Sequence, residues 1–397
     1  MDLNRKFPQA ALELGDLLIS MERYDEAYEV FQQGTKWGKD TKPLFYEGLG
    51  RTEAARGNMK EAEVQILQAR EMDPTNPRFH VALGNLYFQR DIPSLAIVSY
   101  QQAIDLDPGD VSARCAMAEA LDKEARYNEA LDQYKEVVTR DPKFALAYLE
   151  MGELYLLASD ANRAFLQESI TNLERYLELK PGNVEGSILL GRAYYKAKRR
   201  EEAKTLLDPV AAAGELDEQG HAVYARILYE NKQWADAATH FAEGGKYLDD
   251  TDFRRWAHAL RQSEQYALAD TVYLARWVAD STSGEPMEKA SKWILESGKM
   301  HYRQGKQDST EYDVAIERFE RKIALDPASD EAYYYMGLSL RQQKRLPEAI
   351  EPLSKAAELT PDKADRHFWL AVTHNTLKQD SLAQVHFREA SALDDST

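Results

Sequence analysis

One spacing governs this chain. Asp73-Pro74, Asp107-Pro108 and Asp141-Pro142 stand 34 residues apart, and Pro327 and Pro361 resume the beat. Small residues recur in step: Gly50, Gly84, Ala118 and Gly152, then Ala62, Ala96 and Ala130, and later Ala315, Ala349 and Ala383. A fixed period of this length marks a solenoid, whose units bury their apolar faces only against their neighbours. The 397 residues therefore need not split into several globular domains.

Within one period, Arg78–Phe88 carries apolar residues at helical spacing. Asp91-Ile92-Pro93 interrupts it, and Ser94–Ile104 resumes it. Pro93 suits a first helical turn, where its missing N–H costs nothing. Pro108 cannot continue the helix that precedes it. Each unit reads as helix–turn–helix.

These residues resemble the tetratricopeptide repeat family: Leu83-Gly84, Tyr87, Ala96, Tyr100, Ala103 and Pro108 match its pattern almost completely. The resemblance implies an all-α, right-handed superhelix of stacked helical hairpins. Eleven units can be placed by a small second-helix residue: Ala27, Ala62, Ala96, Ala130, Ser169, Ala203, Ala237, Ala269, Ala315, Ala349 and Ala383. Five extra residues fall at Ala158–Asn162 and again at Lys306–Thr310. Units six to eight lack the closing proline, with Glu215, Asp249 and Ser281 in its place. The expected organisation is an array of repeats 1–8 over residues 1–280, less regular from about 160. An irregular joint follows at 281–287, then repeats 9–11 over 288–397.

The balance of 50 basic and 67 acidic residues gives a net charge of −17, which argues against nucleic acid and anionic membrane as partners. Cys115, the only cysteine, allows no intrachain disulfide and reads as a small apolar filler. No stretch reaches the roughly 18 apolar residues of a membrane span. No apolar leader is visible, so the cytoplasm is the default expectation, with periplasm or cell surface if the chain is a trimmed mature form. Phosphate-loop, dinucleotide, zinc-protease and nucleophile-elbow motifs are absent. His367 and His374 share a helix face but offer no obvious third ligand, so neither metal nor cofactor is expected. The chain reads as a non-enzyme with no small-molecule substrate.

In the family resembled, the first helix of each unit lines a concave groove. The corresponding positions here include Val81, Asn85, Phe88, Cys115, Glu119, Asp122, Leu149, Glu153 and Leu156, a mixed apolar and acidic face. They then turn basic and aromatic: Arg192, Tyr195, Arg226, Tyr229, Arg254, His258, Arg261, Lys299 and Tyr302, followed by Tyr334. Arginine forks onto carboxylates and tyrosine adds flat contact area, so this run suits an acidic partner segment. The competing reading pairs these cations with acidic neighbours such as Glu185 or Glu230. The expected function is a protein-binding scaffold or adaptor. The alternative is a self-assembling structural protein, an oligomer or filament stacked end to end through uncapped terminal repeats at Leu12, Leu18, Phe387 and Leu393.

Overall fold

The computed structural model describes residues 7–37, 40–283 and 291–394. They form 22 α-helices and no strand among the described residues, an α-solenoid of eleven consecutive helical hairpins. Repeat 3, for example, pairs Pro77–Gln89 with Pro93–Leu106, and repeat 11 pairs Ala364–Thr376 with Asp380–Asp394. The chain divides into two compact units, 1–210 and 211–397. The boundary falls inside Arg200–Ala213, the second helix of repeat 6. Of the expected joint at 281–287, Ser281 and Thr282 belong to the helix Tyr266–Thr282 and Ser283 follows it. Residues 284–287 lie outside the described residues.

The small residues are where the two helices of a hairpin meet. A methyl group on Gly84 would lie 2.4 Å from the Tyr100 ring. On Gly298 it would lie 2.6 Å from Phe319, and on Gly152 2.5 Å from Leu173. The filling side chain sits sixteen residues after the small one, as in Gly15–Phe31, Gly50–Ile66, Gly84–Tyr100 and Gly337–Leu353. In repeats 5 and 9 the separation becomes twenty-one, as in Gly152–Leu173 and Gly298–Phe319. The extra residues lengthen the turn and leave the packing register intact. The alanines of the second helix, Ala27 through Ala349, are fully buried. Ser169 replaces alanine in repeat 5 by donating its hydroxyl to the Gly152 carbonyl at 2.7 Å.

The turn inside each hairpin is also periodic. Glu22, Asp91, Ala125, Lys198, Lys232, Glu264, Lys344 and Lys378 have φ between 57° and 64°. Gly57 occupies the equivalent turn of repeat 2 at φ 86°. Only repeats 5 and 9, which carry the insertions, lack such a residue in the turn. The left-handed region costs a residue with a Cβ roughly 1–2 kcal/mol, and glycine nothing. Ala125→Gly should therefore raise stability by about 1 kcal/mol, read as a higher urea midpoint with an unchanged slope.

Candidate functional site

The first-helix face behaves differently in the two units. In the first unit it carries carboxylates. Glu119 and Asp122 lie one turn apart on Val111–Lys123, as do Glu150 and Glu153 on Ala145–Ala158. Burial pushes the Glu150 carboxyl up to about 7, helped by Glu153, Glu119, Asp122 and Glu185. Burial likewise raises Glu119, Asp122 and Glu153, the last partly offset by Arg192. The Tyr134 hydroxyl, wholly buried, feels Glu150, Cys115, Glu119 and Asp122 most strongly and finds no hydrogen-bond partner among the described residues. Cys115 is buried with its thiol against Glu119 at 3.7 Å, and burial pushes it up to about 12. So high a value holds the sulfur protonated and unreactive, a packing residue.

Glu150 has a consequence for stability. Its carboxyl is protonated in the folded chain up to about 7 but ionises in the unfolded chain from its ordinary 4.5. The unfolded state thus binds fewer protons in that window, and the contribution of Glu150 to stability is lost as pH rises through it. Glu150→Gln should leave stability nearly unchanged at pH 4.5. At pH 8 it should raise it by on the order of 1 kcal/mol, after allowing for screening at a half-buried site. Urea unfolding at the two pH values measures this.

In the second unit the basic run is mostly engaged within the fold. The Arg226 guanidinium lies 2.5 Å from Asp252, a carboxylate with no solvent exposure, and also donates to the Tyr247 carbonyl at 2.9 Å. Asp252 also closes a capping box with Asp249 at the start of Asp250–Gln262. Lys299 is buried, 2.5 Å from Glu331 and 3.6 Å from Glu296. Tyr334 is buried under Arg366, whose guanidinium stands 3.9 Å above its ring and pairs with Asp330 and Asp365. Tyr302 packs edge-on against Tyr335. Tyr229 meets His258 at 3.1 Å and packs against Trp234. Arg226, Lys299 and Tyr334 are thus fold-holding groups, because the neighbouring repeat supplies each with its counter-charge or cover.

Three arginines of this face are different. Arg254 is exposed and stands over the Trp293 ring at 5.5 Å. Arg261 engages the Tyr273 hydroxyl. Arg303, absent from the positions read from the sequence, lies near Arg261. Burial and both of these cations hold the His258 imidazole below its ordinary value. No carboxylate of a described residue forms an ion pair with Arg254, Arg261 or Arg303. In the first unit, Arg192 and Tyr195 are half-buried and engaged with neighbours.

The terminal residues fall into two kinds. Leu12 and Leu18 are buried in the core of repeats 1 and 2 with Phe31, Phe45 and Leu49, so they are core residues and present no end surface. Phe387 occupies the filler position of repeat 11, remains 36% exposed and packs on Phe368. Leu393 is half-buried. His374 does not join His367 as a ligand pair: its Nδ1 meets Gln379 at 2.6 Å. His367 instead comes together with His386 and Glu389.

Family models described as tetratricopeptide repeat match residues 12–77, 48–111, 166–227 and 304–364. The type IV pilus assembly protein PilF of Pseudomonas aeruginosa is 36% identical over 78 residues, 19% of this chain and 31% of that protein. The solved structure of Pseudomonas aeruginosa PilF covers 57% of this chain and 99% of its own, with a TM-score of 0.47 at 20% identity. A tetratricopeptide repeat protein from Parabacteroides merdae covers 64% and 99% respectively, with a TM-score of 0.44 at 14% identity. With the hairpin period, the small-residue contacts and the family-model matches in agreement, the chain belongs to the tetratricopeptide repeat family.

Proposed function

We propose that this protein is a non-enzymatic scaffold that holds an acidic segment of a partner protein against the first helices of repeats 8 and 9. Repeats of this family generally mediate protein–protein interactions. The observation that carries the reading is the group Arg254, Arg261 and Arg303, three cations with no carboxylate partner among the described residues of a chain of net charge −17. Burial, with Arg261 and Arg303, holds His258 below its ordinary value, which favours a neutral imidazole that offers hydrogen bonds beside those two arginines. Two or more guanidinium groups in a row match an extended chain bearing spaced carboxylates.

The test is a fluorescein-labelled glutamate-rich peptide followed by anisotropy. The wild type should bind it with an affinity that falls as salt rises. Arg261→Glu with Arg303→Glu should weaken binding by more than about tenfold while leaving the helical circular dichroism intact. Equal affinity for the wild type and this variant would refute the assignment. Neither arginine holds a buried carboxylate, so the fold should survive the exchange.

A second reading applies to the first unit. The uncompensated carboxylates Glu119, Asp122 and Glu150, with the buried unpartnered Tyr134 hydroxyl beside them, favour a basic segment there. An arginine-rich peptide bound by the wild type and released by Glu119→Gln with Glu150→Gln would support it; indifference to that pair of substitutions would sink it.

A further inference from the structure

The structure assigns a divalent transition-metal site of zinc type to His367, His386 and Glu389 in repeat 11, independently of any partner-binding reading. His367 stands on Ala364–Thr376, and His386 and Glu389 stand one turn apart on the antiparallel Asp380–Asp394. The three groups belong to one hairpin.

Two of the three separations lie near those of a tetrahedral ion, and the third, between His386 and Glu389, would open by about 0.6 Å to admit one. His367 Nδ1 lies 3.5 Å from His386 Nδ1 and 3.0 Å from a Glu389 carboxylate oxygen, and His386 Nδ1 lies 2.7 Å from that oxygen. Zinc binds nitrogen and oxygen at about 2.0–2.2 Å, which places two tetrahedral ligand atoms about 3.3 Å apart. Two imidazoles and one carboxylate, with Glu389 open to solvent, leave a fourth position for water.

The proton count points the same way. His367 Nε2 lies 3.1 Å from the Pro361 carbonyl and must donate to it. The neutral ring then presents a bare lone pair at Nδ1, the tautomer a metal requires, held by a backbone oxygen as metal-binding histidines commonly are. This orientation is built into the repeat: His80 makes the same contact with the Pro74 carbonyl at 3.2 Å. In repeat 3 the other nitrogen of His80 meets the carboxamide oxygen of Gln102 at 3.0 Å, and a half-turn of that amide brings its NH2 there as a donor, an adjustment open to a carboxamide and closed to a carboxylate. In repeat 11 the residue at the same separation is Glu389, whose carboxylate only accepts. Two acceptors therefore face each other across 3.0 Å, and a cation between them resolves the conflict. His374 stacks on His386, their ring centroids 5.8 Å apart and planes 11° from parallel, which helps fix the second ligand.

The spacing occurs twice in the sequence, as His221…His240-Phe241-Ala242-Glu243 and His367…His386-Phe387-Arg388-Glu389. In repeat 7 the two Nδ1 atoms meet directly at 2.8 Å, and Glu243 does not close on them. Among the described residues only the repeat 11 trio converges, so one site is assigned.

Calorimetry with Zn²⁺ on the full, tag-free chain, together with the visible spectrum of the Co²⁺ form, tests the site. The wild type should bind one Zn²⁺ and give a tetrahedral Co²⁺ spectrum. Glu389→Gln restores the pairing seen between His80 and Gln102, so it should fold normally while losing more than about tenfold in Zn²⁺ affinity, the size that loss of even an outer partner of a ligand produces. His386→Gln should behave alike, and His240→Gln should leave the affinity unchanged. No Zn²⁺ binding by the wild type, or equal binding by Glu389→Gln, would overturn the assignment and leave a proton between His367 and Glu389.

Discussion

Replacing Arg226 with alanine should destabilise the second unit by about 3–5 kcal/mol, the size expected when one partner of a buried ion pair is removed. Asp252 has no exposed surface, and the Arg226 guanidinium meets both of its carboxylate oxygens, at 2.5–3.1 Å. What would remain is Arg255 at 3.4 Å and the backbone N–H of Asp249 at 3.1 Å. An uncompensated carboxylate in that position must either ionise at high cost or take up a proton. The same carboxylate caps the first helix of repeat 8, so the loss should be local at first and reach repeats 7 and 8 before the others. Urea unfolding gives the magnitude. Asp252→Asn with Arg226→Met removes both charges and should recover much of the stability, since the penalty belongs to the orphaned charge and not to the loss of the pair. Equal destabilisation in the single and the double variant would argue against this account. Arg226→Glu is accordingly the wrong probe of ligand binding, because it places a second carboxylate beside Asp252.

Phe319→Ala should cost about 3–5 kcal/mol. Phe319 is fully buried, fills the space above Gly298, and stacks on Tyr335 of the next repeat with ring centroids 6.0 Å apart. Its ring therefore serves two contacts at once, one within repeat 9 and one between repeats 9 and 10. In a solenoid the stability is close to a sum of repeat and nearest-neighbour contributions. Deleting this ring weakens both, so unfolding should lose its single cooperative step, with repeats 10 and 11 separating from the rest of the unit. Thermal unfolding by circular dichroism would show a broadened or biphasic transition. Phe387→Ala, at the same register in repeat 11 but 36% exposed, should cost much less.

The contrast between these two predictions marks what the sequence makes legible. Small residues at Gly84, Ala118 and Gly152 disclose the hairpin contacts because packing repeats with the chain, one filler for one gap. Both five-residue insertions are equally readable, since Ala158–Asn162 and Lys306–Thr310 lengthen turns without disturbing the filler register. The charges are different. Arg226 finds Asp252 26 residues on, and Lys299 finds Glu331 32 residues on, each from the next hairpin. Rotamers and the curvature between neighbours decide such pairs, and no period reveals them. Arg303 escaped notice because it lies one position beyond the register used to read the face. The histidine site had a visible signal, the recurrence of His-Phe-x-Glu nineteen residues after another histidine. Only the exchange of Gln102 for Glu389 at an equivalent position, seen in three dimensions, gives it meaning.

The central claim is that function lies on the first-helix face at repeats 8 and 9. Hydrogen exchange with and without a glutamate-rich peptide tests it most directly. Protection should rise in Asp250–Gln262 and Lys292–Gln304 and remain unchanged in the second helix Tyr266–Thr282. Protection confined to the second helices, or to repeats outside 8 and 9, would contradict the account.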